Sequence, residues 1–445
     1  MQMSRLICLV TALTLAAALF AAPEVTLLSC GQQSGSRTVK VVYSLNEDAI
    51  VTVDFQTNTQ ENASGEWVSI GGRAYRNATG DVHKFVTAGE TRTIEWDPLV
   101  GWPGQKIKNF RAVVTAWTKG NPPDWLMADL SGTKEVNYYA DPLALPYGNI
   151  LDYSASEAEA NKPYKSDKLV MRRIHAKGRR FLMGNDKVEF EKQVEGNGVT
   201  YAGRINERGH QAVLSYDYYM GVYFVTADQK WYAWEKVGDY PNDRLPATWV
   251  TYNDLRGENE GAAYPVYTDG AFDYEKSLEV DSDSIVGRFR TRTGLETLDI
   301  PSEAEYTFAA RGGDRGGYLY DRLLFTDANA SKVTRWNGNL GEKDCEGKTK
   351  DRATVGSYPA NPYGLFEMMM ECSTPCRDWY ESWENIDTSI VHVDPVGPKT
   401  GENRGFVGGA YTDTKPWNYM TRRGSLAPDA HRGHVGSARL MMAIR

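Results

Sequence analysis

The chain has 445 residues, enough for two or three domains, with hydrophobic residues at 41%, charged residues at 24% and a formal net charge of −8. Both signs of charge are interspersed, and no Lys/Arg block forms a stripe that could track phosphates. Nucleic acid and anionic membrane surfaces are therefore not expected as partners.

Residues 1–22 read as a secretory signal peptide. After "MQMSR" comes the apolar run "LICLVTALTLAAALFAA", ended by small residues and followed at once by Pro23 and Glu24. The run is short for a membrane span of about 20 apolar residues, and no later stretch approaches that length. The expectation is a secreted, periplasmic or cell-surface protein with no transmembrane segment in its mature chain. Loss of Cys8 with the signal leaves Cys30, Cys345, Cys372 and Cys376. An even count in an exported chain favours disulfides, with three connectivities open. Cys30 also ends "LLSC", faintly like a lipoprotein acylation site, although Glu24 interrupts the apolar run before it.

Residues 23–120 alternate between strand-like runs ("TVKVVYSL", "AIVTVDFQTN", "TRTIEWDP", "FRAVVTAW") and turn clusters ("NEDA", "NASG", "NATGD"). This pattern predicts an all-β sandwich of immunoglobulin or fibronectin type, with His83 on a strand surface. Residues 121–167, with "KGNPPDW", "ADPLALPYGN" and "SASEAEANKPYKSDK", predict a surface-draped connector. Residues 168–445 predict a second domain with much irregular structure. One helix start is well marked there, in "DIPSEAEYTFAARGG", where Ser302 and Glu305 are spaced as a capping box.

Several residues in this second domain carry candidate chemistry. "MMMECSTPCRDWY" places Cys372 and Cys376 close together as a disulfide, a metal clip or a reactive pair, with Cys345 as another partner for either. His431 and His434 form an H-x-x-H, but Pro428 and Gly433 argue for a loop. Glu303 and Glu305 read as helix-start carboxylates, Met368 to Met370 as packing residues, and Asp281 with Asp283 as a solvated acidic loop. Asn62, Asn77 and Asn329 begin sequon-like triplets.

The segments "FLMGN", "YYMGVYFVT", "LPATWVTYNDLRG", "IPSEAEYTFAARGG", "VGSYPANPYGLFEM", "CRDWY" and "RGFVGGAY" stand in the order and spacing of one family. From roughly residue 166 to the end the chain resembles the sulfatase-modifying-factor family, which includes formylglycine-generating enzymes. The resemblance implies an α+β, C-type-lectin-like domain, with the β-sandwich as an accessory module. In the family's enzymes a copper-binding cysteine pair oxidises a substrate cysteine to formylglycine. "GGAYTDTKPWNYMTRRGS" puts Asp413 and Asn418 at those two positions, and a carboxylate with an amide does not replace the thiolates that bind soft Cu(I).

The family's loop for structural calcium departs as well. Glu371 and Thr374 are the oxygen-bearing candidates left there, while Cys372 is additional. A Cys372–Cys376 disulfide stapling that loop in place of an ion is the preferred pairing. Calcium stays a candidate cofactor and copper is not expected.

These readings give an exported, non-oxidase binding or structural module, a pseudoenzyme. Tyr411, Asp413, Trp417, Asn418 and Arg423 would line the former active-site groove, and an extracellular or periplasmic protein, peptide or glycan would be its partner. The alternative is a metal-dependent oxidase of the same family with altered ligands. Export has a direct check: N-terminal sequencing of the mature protein is expected to begin next to Pro23, and a retained Met1 would refute it.

Overall fold

The computed structural model describes residues 22–58, 65–184, 207–234, 243–312, 318–319, 323–324, 331–413, 422–433 and 436–445. The apolar run at the N-terminus, Trp417, Asn418, His434, Asn62 and Asn329 lie outside the described residues.

The N-terminal part holds eight strands: β1 (Val25–Gln32), β2 (Val39–Leu45), β3 (Ala49–Asn58), β4 (Val68–Ser69), β5 (Thr79–Gly80), β6 (Lys84–Val86), β7 (Gly89–Trp96) and β8 (Asn109–Trp117). They form two antiparallel sheets, one in the order β1-β2-β7-β5 and one in which β3 pairs with β4, β6 and β8. The two-residue period decides which faces meet. Val39, Val41, Tyr43 and Leu45 of β2 are buried, while Lys40, Val42 and Ser44 between them are half-buried. Tyr43, Ile94 and Trp96 of the first sheet join Val51, Val53 and Phe55 of the second in one core, where the Phe55 and Trp96 rings stack at 4.6 Å. Cys30 stands within β1 opposite Val41.

The segment expected to be a draped connector is instead built into the next sheet. Its short apolar run "WLMAD" is strand β9 (Trp125–Asp129), followed by β10 (Val136–Tyr139). With β11 (Lys168–Ile174), β12 (Arg180–Met183), β13 (His210–Val213) and β14 (Asp217–Gly221), the second part begins. Its main sheet runs β10-β9-β11-β14 and continues through Met441–Ile444 to Leu298–Asp299. Burial explains the difference: Leu126, Ala128 and Leu130 are fully enclosed, so the flanking prolines punctuate a core strand rather than a linker.

The two parts share packing. Trp125, Met127 and Tyr139 belong to the same core as Val41 and Phe55. His83, expected on a surface, is buried at this junction. Its backbone carbonyl accepts from Tyr138 N at 2.8 Å, its Nδ1 lies 3.1 Å from Tyr138 O, and its ring stacks on Tyr139. Burial holds its imidazole down at about 4, so it is neutral at physiological pH.

Beyond the main sheet the chain is largely loops, and buried arginines serve their carbonyls. Arg256 pairs with Asp299 at 3.0 Å and donates to the carbonyls of Gly261, Ser277 and Glu279. Arg404 donates to those of Tyr264, Arg377 and Ala262. Arg439 donates to those of Gly221, Val222 and Phe366. A loop buried without such donors would leave its backbone acceptors unsatisfied. Arg256→Met is therefore expected to lower stability by about 3–5 kcal/mol in urea denaturation, because it takes the nearest of three arginine partners from the buried Asp299 carboxylate and the side-chain donor from the carbonyls of Ser277 and Glu279. Lys162→Ala, which removes a pair with the exposed Glu159, is expected to stay within about 0.5 kcal/mol of wild type.

Candidate binding recess

The strands Thr374–Trp379, Arg404–Val407 and Arg423–Leu426 form an antiparallel sheet beside the helix Glu303–Ala310. The helix starts as the sequence predicts. Ser302 Oγ accepts from Glu305 N at 3.2 Å, and Glu305 Oε2 accepts from Ser302 N at 2.7 Å. In the sheet Phe406 lies opposite Gly424, where an added Cβ would stand 2.4 Å from the Phe406 ring. That glycine lets the last strand close onto its neighbour.

The same register puts Arg423 opposite Val407 and turns its guanidinium inward. Arg423 Nη2 and Nε donate to Glu303 Oε2 at 2.7 and 3.0 Å, and Nη1 donates to Glu381 O. The guanidinium carbon lies 3.6 Å from the centre of the Trp383 ring and 4.5 Å from that of Tyr380. Such stacking suits the planar, weakly hydrated guanidinium. Beside it opens a small recess, lined by Tyr306, Arg311, Trp383, Val407, Arg422 and Arg423 among others. Glu303 N in turn donates to Asp378 Oδ2 at 2.8 Å. Burial, with the Glu303 charge next, pushes the Asp378 carboxyl up to about 7.

The expected groove residues are only partly brought together. Arg423 lines the recess. Asp413 reaches it through Arg422: its Oδ2 accepts from Ala410 N at 2.7 Å and pairs with the Arg422 guanidinium. Its carboxylate is thereby folded back onto its own turn. Tyr411 is almost wholly buried, with its N–H on Glu371 O at 3.0 Å, and is not among the lining residues. Arg311, Trp383 and Arg422 were not anticipated; the adjacent Arg422-Arg423 pair after a Gly-Gly block was the signal available.

A profile of the sulfatase-modifying factor enzyme 1-like domain matches residues 157–443. The chain belongs to that family. The formylglycine-generating enzyme of Thermomonospora curvata is 29% identical over 143 residues, which are 31% of this chain and 47% of that enzyme. That of Streptomyces coelicolor is 32% identical over 142 residues, 31% of this chain and 44% of the enzyme. The chain thus spans about half the length of the curated relatives it matches. Among solved structures, PvdO from Pseudomonas aeruginosa aligns with a TM-score of 0.43 at 16% identity, covering 62% of this chain and 94% of PvdO.

The cysteines of this sulfatase-modifying-factor domain do not form the expected staple. No disulfide joins Cys372 to Cys376, and none occurs among the described residues. Cys372 packs with Tyr223, Phe224 and Phe366, whereas Cys376 packs with Tyr306, Phe308 and Met368 in a separate core. The chain between them is extended, which carries residues four apart to roughly 13 Å. A disulfide spans less than about 7 Å between Cα atoms. Burial raises both thiols well above their ordinary value, so neither is a ready nucleophile.

The loop where the family would hold calcium keeps oxygen donors. Glu371 Oε1 accepts from Ala353 N at 2.9 Å, while Glu371 Oε2, Thr374 Oγ1 and Glu367 Oε2 are buried without a hydrogen-bond partner. Oxygen donors that lack a proton partner suit a hard cation, which Glu371, Thr374 and Glu367 would hold to brace the loop. No group of three or more His, Cys, Asp or Glu side chains is placed for a metal among the described residues. Other candidates are engaged in their own loops. His431 Nδ1 accepts from Gly433 N. Asp281 accepts from the amides of Glu258, Asn259, Glu260 and Gly261, which hold its carboxyl below the usual range against the effect of burial.

Burial, with the Glu367 charge next, pushes the Glu371 carboxyl up to about 8. Raised above its ordinary value of 4.5, it contributes stability that is full below about pH 4.5 and lost as pH rises through about 8. Without divalent ions, thermal scans are expected to show falling stability over that window, and Glu371→Gln to flatten it by about 2–4 kcal/mol at the alkaline end. Added calcium is expected to restore wild-type stability at pH 8 and to leave Glu371→Gln unchanged.

Proposed function

We propose that this chain is an exported, non-oxidase member of its family. It would act as a binding module that takes a peptide or glycan at the recess beside Arg423, with an immunoglobulin- or fibronectin-like accessory module ahead of it. Asp413 is the observation that carries the reading. At the place where the family's resemblance puts the first copper-binding cysteine, this chain has a carboxylate that caps Ala410 N–H and neutralises Arg422. Both of these contacts lie within the turn itself, so the residue serves the architecture of the turn. The recess supports the reading in its composition: the aromatic residues Tyr306 and Trp383 and the cationic residues Arg311 and Arg422 line one concavity. Irregular loops on a packed scaffold are where such surfaces commonly lie. The apolar run before Pro23 supports export.

The test is an assay of the purified protein with a sulfatase-type cysteine peptide, added copper and oxygen. No formylglycine is expected from the wild type. Asp413→Cys combined with Asn418→Cys is expected to yield little, since a site misplaced by about 1 Å loses on the order of 100-fold in rate. Wild-type turnover would overturn the proposal.

A further inference from the structure

Lys165 and Cys345 meet in a part of the domain that the recess does not use. Lys165 ends the turn Lys162–Lys165 just before β11 and is almost wholly buried. A lysine at that depth is normally paired with a carboxylate. Here its charge acts on the buried Glu367 carboxyl, but the hydrogen-bond partner of its Nζ among the described residues is a sulfur, Cys345 Sγ, at 3.8 Å. The face of the Tyr223 ring lies 5.5 Å away on another side.

Both ends are held in place. Thr226 Oγ1 donates to Lys165 O at 2.7 Å. Cys345 N donates to Ser357 Oγ at 3.2 Å, and the Asp344 carboxylate, accepting from Glu346 N and Lys348 N, fixes the turn around it. Gly356 leaves the room the lysine needs: a Cβ there would stand 3.3 Å from Nζ. The loop is also reachable from outside, since Gly341, Glu342, Lys343 and Gly347 are exposed around the nearly buried Cys345.

We propose that Lys165 and Cys345 are a covalent modification site, joined through one oxygen atom as Nζ–O–Sγ when the protein meets dioxygen. The amine, the thiol and one O2 give the bridge and one water. The N–O and O–S bonds form. One N–H bond, the S–H bond and the O=O bond break, and the two hydrogens leave with the second oxygen as water. Nitrogen and sulfur are each oxidised by two electrons, and dioxygen accepts all four. Two equivalents of a dithiol, each giving two electrons and two hydrogens on closing to its disulfide, undo the bridge, returning amine and thiol and releasing the bridging oxygen as water. A bridge of this kind fits the geometry better than a direct N–S bond, because the inserted atom takes up much of the 3.8 Å gap. It would fasten the turn before β11 to a loop 180 residues further on.

The full chain, purified in air and digested without reductant, is the material for the test. Mass spectrometry is expected to find the peptides carrying Lys165 and Cys345 as one species, heavier than their sum by one oxygen and lighter by two hydrogens. Dithiothreitol should dissolve it, and protein purified without oxygen should lack it. The oxidised form is expected to melt on the order of 5–10 °C above the reduced one, given the length of chain enclosed. Lys165→Arg, which keeps the charge beside the thiol, should abolish both the species and the shift. Separate peptides after air exposure, with Cys345 a free thiol or a sulfinic or sulfonic acid, would overturn the proposal. So would a linked species lacking the oxygen. The wild-type measurement decides the matter even where a variant fails to fold.

Discussion

Buried backbone carbonyls without a ladder to pair them are the constraint around which the second part of this protein is organised. A helix or sheet supplies its own donors, but a domain built largely of loops must bring them from side chains. Arginine is suited to this because it carries five donors in a fixed plane and stays charged when enclosed. Arg256 alone serves Gly261, Ser277 and Glu279 while neutralising Asp299. Arg335 serves Asn339 and Glu342, and Arg439 ties the end of β14 to the loop at Phe366. Each such residue satisfies carbonyls that a ladder would otherwise pair.

The recess inherits its rigidity from the same device. Arg423 is held by Glu303 from the helix and, from the segment 380–383, by Glu381 O and two aromatic faces, so two separate segments converge on one guanidinium. Asp413 and Arg422 repeat the arrangement on a smaller scale. At both places a charge pair sets the local shape.

The two parts of the molecule are likewise coupled by packing that a linker would not provide. Trp125, Met127 and Tyr139 enter the core of the first sheets. His83 reaches the other way, its carbonyl accepting from Tyr138 and its neutral ring lying flat on Tyr139. A charged imidazole would be costly at that depth, which is why burial rather than a partner sets its protonation.

The sequence by itself determined the alternation of β2 and β3, the capped start of the helix at Ser302 and the family. These are local or positional properties: a two-residue period, a Ser-x-x-Glu spacing, an ordered set of motifs. Only the tertiary structure decided that "WLMAD" is a core strand, that His83 is enclosed, that Cys372 and Cys376 face different cores and that Lys165 meets Cys345. Each of these depends on what a distant segment brings to the same place. Residues 180 positions apart leave no trace of their meeting in the spacing of either one. Neither do two cysteines that are near in sequence but carried apart by an extended backbone.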